Sequence, residues 1–249
     1  LKELELELKQ VLRPEQFKDY CPNGLQVEGR KEISKLVTGV TACQELITAA
    51  VEAGADALLV HHGYFWRGED QSISGIKKTR IEALLKHDLS LFAYHLPLDV
   101  HREFGNNVQL GKVLGIEIDG EIGKQNNHPI GLTGTIDQDT DFDSLKALIA
   151  DKLDRQPLAI EGNSRPIRSI AWCTGAAQNY IELAVAAGVD AYITGEVSEP
   201  TVHIARESGI HFFSAGHHAT ERYGVQAIGG HLASKFGIEH QFIDIDNPV

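Results

Sequence analysis

Three short stretches put histidines and carboxylates where the chain is expected to leave a β-strand. These are His61-His62 after the apolar run 57–60, His95 and Asp99 after the run 89–94, and His217, His218 and Glu221 just beyond Phe213. The carboxyl ends of parallel strands open onto crevices where ligands sit. Imidazole with carboxylate and no thiolate suits zinc, manganese, iron or nickel, and a carboxylate can bridge two such ions. His217 and Glu221 are four residues apart and share one face of a helical turn. Neighbouring His61 and His62 cannot point the same way on a regular strand. At a strand end the backbone turns, and the pair can then reach two ions, or one ion from two angles. Any one of these histidines alone would read as a hydrogen-bonded structural residue; the recurrence of the same donor types at three strand ends points to metal. His101, His128, His203, His211, His231 and His240 lack that context and read as surface or structural, while His87 suits a helix C-terminus.

The elements that must position these groups are legible around them. Residues 1–20 read as an amphipathic helix stopped by the turn Pro22-Asn23-Gly24. Residues 35–40 form a β-type run, 44–53 a helical pattern ending at Gly54, 57–60 a buried strand, 76–86 a helix and 89–94 a further strand. This alternation predicts an α/β fold with largely parallel pairing. From about 115 to 168 the chain is richer in Asp, Asn, Gly and Thr. There HPIGLTGTID predicts a strand and FDSLKALIADKL a helix capped by Asp141 or Asp143.

The later part repeats the earlier one. VTGVTACQELITAAVEAGADALLVHH (37–62) aligns with AWCTGAAQNYIELAVAAGVDAYITGE (171–196), so that Gly54 matches Gly188 and Asp56 matches Asp190. LFAYHLPLD (91–99) aligns with FSAGHHATE (213–221), so His95-x-x-x-Asp99 answers His217-x-x-x-Glu221. The expected architecture is two similar, intertwined α/β halves from an internal duplication. The first half is 1–115, the connecting subdomain 116–168, and the second half 169–249, packed with the first as one unit. In this alignment Glu196 takes the place of the paired histidines, either as an acid facing the same crevice or as a plain helix-start carboxylate. CTGAAQ (173–178) is either a phosphate-cradling turn or simply the small-residue turn that tight strand–helix packing needs. Tyr64, Phe65 and Trp66 follow the paired histidines and could stack on a flat ring, or equally form a packed lid or a subunit contact.

Composition narrows the function classes. A formal net charge of −12 gives no long-range help in binding nucleic acid, which is not expected as a partner. No apolar run approaches the ~20 residues of a membrane helix. The charged opening LKELELELKQVL does not read as a secretory signal. Three cysteines without C-x-x-C spacing fit a reducing compartment, so a cytoplasmic protein is expected.

Five segments, PNGLQVEG, VHHGYFWRGE, LPLDVHREFGNN, TGEVSE and AGHHATERYG, resemble the YbgI-type proteins, also called GTP cyclohydrolase type 2-like or NGG-interacting-factor-like. The likeness runs from about Cys21 to Pro248, with the motifs in order. It implies a dinuclear metal centre held by His61, His62, Asp99, His217 and Glu221, all present here. His95 and His218 then become candidates for orienting ligands or moving protons, with Glu196 as a further candidate acid. The resemblance also implies ring-shaped homohexamers. The resulting expectation is a metal-dependent hydrolase with two divalent ions per chain, acting on a small molecule such as a nucleotide or cyclic amide. The rival class is a non-enzymatic ring-forming assembly or metal-storage protein. A catalytic site keeps coordination positions open, and five ligands shared by two ions leave several.

Overall fold

The computed structural model describes residues 1–125 and 128–249. The chain divides into two compact units, Leu1–Phe104 with Gly224–Asp246, and Gly105–Tyr223 with Asn247–Val249. The first unit contains α1 (Lys2–Leu12), β1 (Gly24–Val27), β2 (Lys35–Thr41), α2 (Gln44–Glu52), β3 (Ala57–His62), α3 (Gly75–Lys86), β4 (Ser90–Ala93) and the short α4 (Leu96–Val100). The second contains α5 (Asn106–Leu114), β5 (Glu117–Gln125), β6 (His128–Thr140), α6 (Phe142–Leu153), β7 (Leu158–Ile160) and β8 (Ile167–Trp172). It continues with α7 (Ile181–Ala187), β9 (Ala191–Thr194), α8 (Glu199–Ser208), β10 (His211–Ser214) and α9 (His217–Thr220). Helix α10 (Arg222–Phe236) returns the chain to the first unit, which ends with β11 (Glu239–Phe242).

The first sheet has the order β1-β4-β3-β2-β11, parallel except for the antiparallel edge strand β1. Its central strand shows why the sequence reads as an unbroken apolar run. Leu58 and Val60 pack with Leu46, Ile47 and Leu84 from α2 and α3, while Ala57 and Leu59 pack on the other face with Leu4, Leu8 and Ile228 from α1 and α10. Both faces are covered, so alternation of polar and apolar residues disappears. Helix α1 stops earlier than the 1–20 pattern predicts. Arg13 takes a left-handed conformation, φ 47°, and Pro14 follows, whose ring cannot continue a helix.

The second sheet has the order β5-β6-β8-β9-β10-β7, with β8, β9 and β10 parallel and the remaining pairings antiparallel. Ala191 and Ile193 of β9 pack with α5 and α6 through Leu110, Leu145 and Ile149. Tyr192 packs on the opposite face with Ile181 and Ala205. The 116–168 stretch supplies β5, β6, α6 and β7 to this unit. Asp141 caps α6 by accepting from the Ser144 N–H at 2.7 Å.

The two units share one internal plan. β2-α2-β3-α3-β4 and β8-α7-β9-α8-β10 have the same order of elements, all strands parallel and the second strand central. Gly54 and Gly188 follow α2 and α7 with φ 72° and 71°, a conformation that costs glycine nothing. Among the described residues, no helix is long and apolar enough to cross a membrane.

Candidate metal centre

In the first unit, β3 carries His61 and His62 to the end of its ladder with β2, where Thr41 pairs with His62. His61 is fully buried, and its Nδ1 lies 2.9 Å from the Tyr94 carbonyl. A carbonyl only accepts, so Nδ1 carries a proton, and in the neutral ring Nε2 would present a lone pair. That Nε2 lies 3.3 Å from Oδ1 of Asp99, on α4. Two acceptors at this distance need a cation between them, either a proton or a metal. His62 Nδ1 lies 3.2 Å from the Thr41 hydroxyl.

His95 closes the group. Its ring centroid lies 5.1 Å from that of His61 and 5.8 Å from that of His62, and the His61 and His62 centroids are 4.5 Å apart. One ring nitrogen of each lies within 4.8 Å of the other two, close enough for one ion to bind all three. The edges of Tyr20 and Trp66 stand against His95 at 6.5 and 5.0 Å. Of the aromatics that follow His62, Tyr64 is buried, with its hydroxyl donating to the Ala42 carbonyl. Trp66 donates from its indole to the Gly63 carbonyl. Cys21 and Asp19 also stand near His95. Burial first, then the charges of Asp19 and Asp99, push the Cys21 thiol up to about 12, so it stays neutral and unreactive.

In the second unit, the turn after β10 carries His217 between two carboxylates. Its Nδ1 lies 2.7 Å from Glu196 Oε1, and its Nε2 lies 3.1 Å from Glu221 Oε2. Burial works to lower the His217 pKa, but the hydrogen bonds and charges of Glu221 and Glu196 outweigh it and raise it to about 9. Without metal the ring is therefore an imidazolium, and an incoming cation would take the place of its Nε2 proton. His218 is buried in the same turn, and its backbone N–H donates to the Val249 carbonyl at 3.0 Å. The turn before α7 packs directly beneath these groups. The Gly175 N–H donates to the Thr220 hydroxyl at 3.1 Å. A Cβ at Gly175 would collide with Glu221 Oε1 and come within 3.2 Å of His217 Nε2.

Each unit thus sets imidazole beside carboxylate at the carboxyl ends of its parallel strands. This donor chemistry fits divalent transition metals. Comparison with known proteins agrees with the motifs. A sequence model of the Duf34/NIF3 (NGG1p interacting factor 3) family matches residues 1–248. The chain belongs to that family. A Pseudomonas aeruginosa relative named GTP cyclohydrolase 1 type 2 homolog is 55% identical over 243 residues, covering 98% of this chain and 96% of its own. An Escherichia coli K12 protein of the same name is 48% identical over 249 residues, covering 99% and 98%. Among solved structures, protein ybgI, described as of unknown function, matches with a TM-score of 0.95 at 46% identity, covering 100% of this chain and 99% of that one. A Thermus thermophilus protein matches with a TM-score of 0.87 at 30% identity over 100% and 99%.

Within the family frame, His61, His62, His95 and Asp99 come together in the first unit, and Glu196, His217 and Glu221 in the second. Sequence reasoning passed over Asp19, Asn23 and Gly175. Asn23 lay in a motif read only as a turn, and Gly175 in one read as a tight corner. Asp19 carried no signal, because its partner His95 is 76 residues away.

Proposed function

We propose that this chain is a dinuclear metal-binding protein that hydrolyses a small heterocyclic substrate, with a nucleotide or cyclic amide the class to test first. The proposed ligands are His61, His62 and Asp99 from the first unit and His217 and Glu221 from the second. The observation that carries the reading is the His61–Asp99 pair. With Nδ1 donating to the Tyr94 carbonyl, Nε2 lies 3.3 Å from a carboxylate oxygen, a contact that a proton or a bound metal ion would bridge. The His217–Glu221 pair supports it differently: the ring's Nε2 proton, 3.1 Å from Glu221, marks a position that a cation could take. The family membership and the names of the relatives agree with a metal-dependent hydrolase, and the shared plan of the two units supports a duplicated origin for the halves. A cytoplasmic ring-shaped homohexamer goes with this reading.

Two divalent ions would lower the pKa of a water towards neutrality and polarise the bond to be opened. The protein's own groups have separable parts. Tyr94 fixes the tautomer of His61 through its carbonyl, and Glu196 fixes the ring of His217. His95 stands beside the paired histidines as a proton acceptor, and His218 and Glu196 are the corresponding candidates in the second unit. The test is metal analysis of purified protein, then reloading with zinc, manganese, iron or nickel and a screen of nucleotides and cyclic amides. Hydrolysis that appears with metal and vanishes in Asp99→Ala supports the reading. Metal bound in full with no hydrolysis of any compound would favour a storage or assembly role.

A further inference from the structure

The segment Asp19–Gly24 has no role in the function proposed above, yet it grips His95 at two points. Asn23 Oδ1 accepts the His95 backbone N–H at 2.7 Å, and Asp19 Oδ1 meets the ring at Nδ1, also at 2.7 Å. The Asp19 side chain is only 3% exposed. Its other contacts are donors as well: the Tyr20 N–H at 2.6 Å, the Asn23 amide at 2.8 Å and the Leu96 N–H at 2.9 Å. Three donors already converge on one buried carboxylate, whose pKa lies below its ordinary value despite burial, so it acts as an acceptor and holds no proton of its own. The His95 nitrogen facing it must be the protonated one. The bond to Asp19 is the ring's only hydrogen bond among the described residues. In the neutral ring Nε2 then carries the lone pair, on a ring packed against His61 and His62.

We propose that Asp19 is a positioning residue of the candidate centre. It fixes His95 as the Nδ1–H tautomer, so that Nε2 is a ready proton acceptor beside the paired histidines. Asn23 holds the backbone from which the ring projects. The motif PNGLQVEG is thereby explained at its first turn: Pro22-Asn23-Gly24 exists to bring Asn23 and Asp19 onto His95. Buried carboxylates that orient a functional histidine act in this way generally, through the tautomer and ring direction. The role of Asp19 rests on the hydrolase reading of the centre. The tautomer it imposes is a property of the metal-free chain and is tested there.

The probe is diethyl pyrocarbonate, which acylates an unprotonated imidazole nitrogen. Metal-free parent and Asp19→Asn protein are labelled at mildly alkaline pH, and the rate at each histidine is read by peptide mass spectrometry. His203, exposed and paired with Glu199, serves as the internal reference. The proposal predicts that Asp19→Asn slows labelling of His95 by roughly 10-fold, the shift in tautomer population that loss of one charged hydrogen bond brings, with His203 unchanged. An unchanged His95 rate in a variant that melts like the parent overturns it. Should Asp19→Asn not fold, the solid-state 15N spectrum of histidine-labelled parent decides, with His95→Ala assigning the signal. A bare Nδ1 and protonated Nε2 at His95 overturns the proposal, and the reverse supports it. Failure of the metal reading shows separately, as a parent chain that binds no zinc.

Discussion

Asp56 and Asp190 make the same bonds in the two units. Asp56 Oδ2 accepts from the Ser34 and Lys35 N–H groups at 2.7 and 2.9 Å, and Asp190 Oδ2 accepts from Arg168 and Ser169 at 3.0 Å each. Each therefore anchors the start of the first parallel strand to the loop before the second. Their backbones agree too: the N–H groups of Asp56 and Asp190 donate to the carbonyls of Lys35 and Ser169, and their carbonyls accept from Ser90 and His211. Burial works to raise the Asp190 carboxyl, but the Ser169 and Arg168 N–H groups outweigh it and leave the carboxyl below its ordinary value. A carboxyl held low in the folded state adds stability above its unfolded pKa and loses it as pH falls through the folded one. Asp190→Asn is expected to destabilise by about 2 kcal/mol at neutral pH, as loss of charged hydrogen bonds does. Denaturant titrations at a series of pH values should show the gap closing on acidification below the carboxylate range. A gap that persists there would assign the effect to packing.

Gly175 lies under Glu221 and His217, the ligands proposed from the second unit, with no room for a side chain. Gly175→Ala should displace Glu221 and lower metal retention sharply. Gly188→Ala is the control, since it has a similar φ, 71° against 69°, and nothing within 4 Å of an added Cβ. It should cost only backbone strain, about 1 kcal/mol, and keep its metal. Metal content and melting temperature of both variants separate the two effects. Equal metal retention in the pair would remove Gly175 from the account.

Gly111 tests the packing on which the second unit rests. It lies inside α5, where alanine ordinarily gains about 1 kcal/mol. Here an added Cβ would lie 2.7 Å from the ring of Trp172, which is fully buried and held by its indole N–H to the Asn107 carbonyl at 2.7 Å. Gly111→Ala should therefore destabilise, measured as a lowered denaturant midpoint. A raised midpoint would mean that Trp172 moves aside without cost.

Much of this was legible in the sequence because the signals were local or repeated. The apolar runs gave β3 and β4, Gly54 ended α2, and the matched segments gave the common strand–helix order. Residues 116–168 were read as a separate connection, and their strands form part of the second unit's sheet. An antiparallel pairing such as β6 with β8 depends on chain contacts that no short window contains. The same limit hid Asp19, whose role exists only once the chain has brought residue 95 back to it. Glu196 was visible through the alignment of the halves, which left open whether it was an acid or a helix start. The structure sets its Oε1 against His217 Nδ1 at 2.7 Å.

The ligand and positioning groups should differ in their effect on metal. Asp99 and Glu221 are the proposed carboxylate ligands, which would neutralise two close cations as imidazole cannot. His95 is expected to tune the centre and not to hold it. His95→Ala should keep its metal with affinity or activity reduced roughly 10–100-fold, read by competition with a coloured chelator. Complete loss of metal from His95→Ala would make it a ligand.

The most direct measurement is metal content per chain, by elemental analysis, for reloaded parent, Asp99→Ala and Glu221→Ala proteins of unchanged melting behaviour. The account predicts two divalent ions per parent chain and loss of metal in each variant. Full metal content in Asp99→Ala, with His61 still in place, would contradict it.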